Sequence, residues 1–74
     1  MANPLQEQFA ETLLDRIRRD QYPSVTQMDL LESVATPRVL VEFVFDLMQR
    51  IESDTHPSIP LMLRARRLIQ RFGT

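Results

Sequence analysis

The stretch Pro37–Glu52, PRVLVEFVFDLMQRIE, constrains this chain more than any other. Wound into a helix, it places Leu40, Phe43, Val44, Leu47, Met48 and Ile51 on one face. Val41 and Phe45 widen the apolar arc to roughly 200° of the circumference. Arg38, Glu42, Asp46, Gln49 and Arg50 take what remains. A helix lying on a protein surface needs an apolar stripe of only about 100°. This one demands neighbours on more than one side.

The rest of the chain has little material to supply them. Its 74 residues make a single helical domain, residues 1–74. A chain this short buries only about 60–65% of the surface its unfolded form exposes. Small scaffolds compensate with disulfides, a metal or oligomerisation. Cysteine is absent and His56 is the single histidine, so neither disulfides nor a transition-metal site is expected, and no cofactor. Self-association is the remedy left.

Composition bounds the rest. Hydrophobic residues make up 43% and charged residues 26%, which is ordinary for a soluble globular chain. MANPLQEQ lacks the basic-then-apolar order of a signal peptide, and Glu42 and Asp46 interrupt the longest apolar run. A cytoplasmic protein with no membrane partner is expected. All nine basic residues are arginine. Residues 1–35 hold six acids and three arginines; residues 36–74 hold four acids and six arginines. Two halves of opposite sign suit complementary faces better than a nucleic-acid-binding domain, which is usually basic throughout.

Read in order, the chain spells four helices. Asn3-Pro4-Leu5-Gln6 has an N-cap, a proline at the first position and a glutamine three residues past the cap. That helix runs to about Arg19 and buries Phe9, Leu13 and Ile17, flanked by Ala10 and Leu14. Glu7, Glu11 and Asp15 line its outer side. Tyr22-Pro23 stops it. Ser24-Val25-Thr26-Gln27 is a capping box opening a short helix, Val25–Val34, that buries Met28, Leu31 and Val34. Thr36-Pro37 caps and starts the central helix. After the loop at 53–57, Ser58 caps a fourth helix, Ile59–Arg71, burying Leu61, Ala65, Leu68, Ile69 and Phe72. Gly73 is its C-terminal stop.

A repeat underlies this order. Shifting residues 9–28 by 34 onto 43–62 matches eight of twenty positions: Phe9/Phe43, Leu13/Leu47, Arg16/Arg50, Ile17/Ile51, Asp20/Asp54, Pro23/Pro57, Ser24/Ser58 and Met28/Met62. Unrelated segments of ordinary composition share about one or two. The fold class expected is all-α: a four-helix bundle of two duplicated helix–corner–helix hairpins, residues 3–35 and 37–72, packed through their long helices. The period equals that of tetratricopeptide repeats. That family's small residues at helix contacts are missing, and two copies are too few for a solenoid, so the chain is not assigned to it.

Catalytic chemistry has no foothold. There is no cysteine nucleophile, glycine-rich phosphate loop, HExxH or EF-hand pattern. His56 with Asp54 could be drawn as base and orienter. Its repeat counterpart is Tyr22, which points instead to a flat ring packed at each corner. Asp20 and Asp54 repeat at one spacing, fitting turn hydrogen bonds or pairs with Arg16 and Arg50 one helical turn earlier. Arg64, Arg67 and Arg71 line one edge of the fourth helix, with Arg66 on its outer face. Together they form a candidate contact for phosphates or an acidic partner.

The expected function is non-enzymatic: a small protein–protein interaction or adaptor module, acting as a homodimer or by docking a larger partner. Its interaction surface is expected at Val41 and Phe45, flanking the central apolar face, with Leu63 outside the apolar stripe of the fourth helix. The alternative is a small nucleic-acid-binding regulator using the arginines of the C-terminal helix.

Overall fold

The computed structural model describes residues 3–53 and 58–72. Among them the chain is all-α: α1 (Pro4–Arg19), α2 (Val25–Val34), α3 (Pro37–Ser53) and α4 (Ile59–Phe72), with no strand. Local chemistry sets the boundaries. The Asn3 side chain accepts from the Leu5 amide at 2.9 Å, and Pro4 opens α1. Ser24 closes the expected capping box, its hydroxyl accepting from the Gln27 amide at 3.0 Å. The Ser24 amide donates in return to Gln27 Oε1 at 3.2 Å. The Thr36 hydroxyl accepts from the Val39 amide at 3.4 Å, so Thr36-Pro37 starts α3 as its sequence requires. One expectation fails here: the Gln6 amide does not complete a box at Asn3, and its Nε2 donates to the Val34 carbonyl at 3.2 Å. That bond satisfies a carbonyl in the last turn of α2, where helix geometry leaves the backbone without a partner.

The residues fall into two compact units, one up to Leu40 and the other from Val41 on, so the division lies inside α3. In the first unit α1 and α2 pack against each other, with Ala10, Leu14, Ile17, Met28, Leu31, Val39 and Leu40 buried. The buried stripe of α1 is not the one expected. It is rotated toward the acidic side, leaving Phe9 44% exposed and Leu13 half-buried. Arg38 lies on the side toward which the stripe turns. From the first turn of α3 its Nη2 reaches Glu7 at 3.1 Å and Glu11 at 2.5 Å, so two of the three acids read as an outer face pair with α3.

In the second unit Phe43, Val44, Leu47, Ala65 and Leu68 are buried. The buried face of α3 is likewise rotated from expectation. Val39, assigned to no face by periodicity, is fully buried, whereas Met48 is exposed and Ile51 only half-buried. Glu42, Asp46 and Arg50, expected on the outer side, are half-buried. Asp46 Oδ2 accepts from Arg50 Nε at 2.7 Å, and neutralisation within the helix lets that flank turn inward. Arg50 thus pairs one turn back; Asp54, its expected partner, lies outside the described residues, as do His56, Pro57 and Gly73. The Arg16–Asp20 pair forms, at 3.7 Å.

Some helix boundaries fall at the 34-residue spacing of the sequence match, whereas the starts of α1 and α3, Pro4 and Pro37, and the ends of α2 and α4, Val34 and Phe72, do not. Val25 and Ile59 each begin a helix, and Arg19 and Ser53 each end one. The match does not give equal environments: Phe9 is largely open while Phe43 is fully buried, and Met28 is buried while Met62 is exposed. Tyr22 is exposed, so no ring packs at the first corner.

Candidate functional site

The rotation of α3 leaves a strip of its apolar arc uncovered. Val41, Phe45 and Met48 are all exposed, Phe45 by 59%. They stand at i, i+4 and i+7 and therefore share one side of the helix. Phe43 and Leu47, also on α3, are fully buried on another side. Glu52, four residues past Met48, ends the strip and is exposed. Val41 and Phe45 were legible in the sequence as flank residues. Met48 was not, because its periodicity placed it in the core. The signal that could have found it is the Glu42–Asp46–Arg50 row, whose internal ion pair marks the opposite flank as the one able to turn inward.

Leu63 is carried by α4 and is 50% exposed, with Ile59 one turn before it also exposed. The buried stripe of α4 is narrower than expected. Ala65 and Leu68 are inside, Leu61 is half-buried, and Ile69 and Phe72 are exposed. Two further apolar side chains of α4 thus face solvent where a core was predicted.

The arginine edge divides. Arg66, Arg67 and Arg71 are exposed. Arg64 is only 8% exposed, which corrects its placement with Arg67 and Arg71 along one open edge. It adjoins Ala65 and stands one turn before Leu68, so its stem lies on the core side of α4. A buried guanidinium requires partners, and no buried side-chain nitrogen or oxygen among the described residues lacks a hydrogen-bond partner. Arg64 is therefore part of the packing rather than of an open anion site.

Among the described residues no group of three or more His, Cys, Asp or Glu side chains could hold a metal ion, and no helix is long and apolar enough to cross a membrane. The site is a surface of apolar side chains with charged ends, chemistry suited to association. Compared with known proteins, the chain matches no family model, no curated protein and no solved structure.

Proposed function

We propose that this chain is a non-enzymatic helical association module that binds protein, in the first place another copy of itself. The observation supporting it is the exposed strip Val41–Phe45–Met48 on α3, a helix that buries Phe43 and Leu47 fully on another side. Covering an aromatic or large aliphatic side chain is worth about 1.5–3 kcal/mol, and a chain of 74 residues has little burial to spare. Leu63 belongs to the same reading as a second apolar contact.

The test is sedimentation across micromolar concentrations. Phe45→Glu weakens association at least tenfold, about 1.4 kcal/mol, while the circular dichroism of the monomer keeps its helicity. A wild type that stays monomeric throughout, or a variant that simply unfolds, sinks the reading.

The nucleic-acid alternative now rests on Arg66, Arg67 and Arg71, since Arg64 is withdrawn into the packing. Phosphate binding would fall steeply with salt and vanish when those three are replaced together. Absence of binding to DNA or RNA at low salt removes it.

A further inference from the structure

Two exposed strips in the second unit match each other. On α3 the strip is Val41, Phe45, Met48 and Glu52; on α4 it is Ile59, Leu63, Arg66 and Gln70. All of these side chains are exposed. Both strips step by four, then three, then four residues, the spacing that holds a seam along one side of a helix. Each is apolar at its N-terminal end and polar toward its C-terminal end. The polar ends differ in sign. Glu52 supplies a carboxylate, whereas α4, IPLMLRARRLIQRF, carries arginines and no acid at all.

We infer that the α3 strip of one copy packs in parallel along the α4 strip of a second copy. Parallel alignment sets Val41 against Ile59 and Phe45 against Leu63 of the second copy, with Met48 along the apolar stem of Arg66. Glu52 then lies opposite Gln70, one helical turn and about 5–6 Å along the axis from Arg66, within reach of both long side chains. The other pairings are worse. Running α3 antiparallel to α4 lays Glu52 on Ile59, Arg66 on Phe45 and Gln70 on Val41, leaves Met48 with Leu63 as the one apolar pair, and separates Glu52 from Arg66. Pairing α3 with α3 sets Glu52 against Glu52 in parallel and lays each Glu52 on Val41 in antiparallel, while pairing α4 with α4 sets Arg66 against Arg66 in parallel and in antiparallel offers Arg66 no carboxylate. The two complementary strips sit on one chain, so a second copy supplies the whole match, and this is what selects it over a foreign partner.

The inference rests on the association reading above and specifies its occupant and geometry. It is tested by sedimentation at low salt on Glu52→Arg, Arg66→Glu and the double variant, with Phe45→Glu alongside. Each single reversal raises the dissociation constant about three- to tenfold. An equimolar mixture of the two single variants, and the double variant alone, return to within about twofold of wild type, because each restores opposite charges across the contact. If both reversals associate as wild type does while Phe45→Glu is impaired, the strip pairing is wrong and the association reading stands. Loss without rescue in the mixture also overturns the pairing. A wild type that never associates removes both.

Discussion

Asp46 and Arg50 meet at 2.7 Å across one turn of α3, with only 11% and 15% of their side chains exposed. A pair this sheltered costs little while complete and much when halved, because the survivor is left charged in a poorly hydrated place. Asp46→Ala is expected to lower stability by about 1–3 kcal/mol. Replacing both residues with leucine and methionine costs less than that single change. Urea unfolding of the single and double variants measures the difference; a double loss equal to the sum of the singles would show the two do not interact.

Phe9 and Phe43 occupy equivalent places in the sequence repeat and opposite places in the fold. Phe43→Ala removes a fully buried ring and is expected to cost about 3–5 kcal/mol. Phe9→Ala, at a half-open site, costs about 1 kcal/mol or less. The comparison is made by thermal or urea unfolding below the concentration at which the chain associates. Equal losses would mean that Phe9 is covered in solution.

The two serine caps are expected to differ. Ser24→Ala breaks a box whose two bonds both form, while Leu61, three residues past Ser58, has no group to return a second bond. Each change costs about 1 kcal/mol, the first more than the second. Unfolding midpoints at constant m-value report the order, and a larger loss for Ser58→Ala would show that the box contributes nothing beyond the hydroxyl.

Arg38→Ala severs both links to α1, but its side chain is more than half exposed and water screens what it gains. The expected loss is below about 1 kcal/mol and shrinks in high salt. A salt-independent loss would assign Arg38 a packing role through its stem.

Helix positions were legible because punctuation in this chain is strong and local. Asn3-Pro4, the Ser24–Gln27 box and Thr36-Pro37 each determine a backbone state from a few adjacent residues. Which side of each helix turns inward was not legible to the same degree. Periodicity weighs apolar residues alone, whereas the outcome on α1 was tied to Arg38, distant in sequence from Glu7 and Glu11. On α3 it was tied to an ion pair that neutralised one flank. Arg64 was misplaced for a related reason: a long stem can lie on apolar surface while its charge finds a partner, and a hydrophobicity scale counts only the charge.

The compact units meet between Leu40 and Val41, whereas the sequence repeat turns over at Ala35–Pro37. A gene cut at the repeat junction would strip Val39 and Leu40, both buried, from the half that contains α1 and α2. A cut at the unit boundary would begin the other half in mid-helix, without Thr36-Pro37 to nucleate it. Neither fragment retains everything its half uses: one loses buried side chains, and the other loses the start of its own helix.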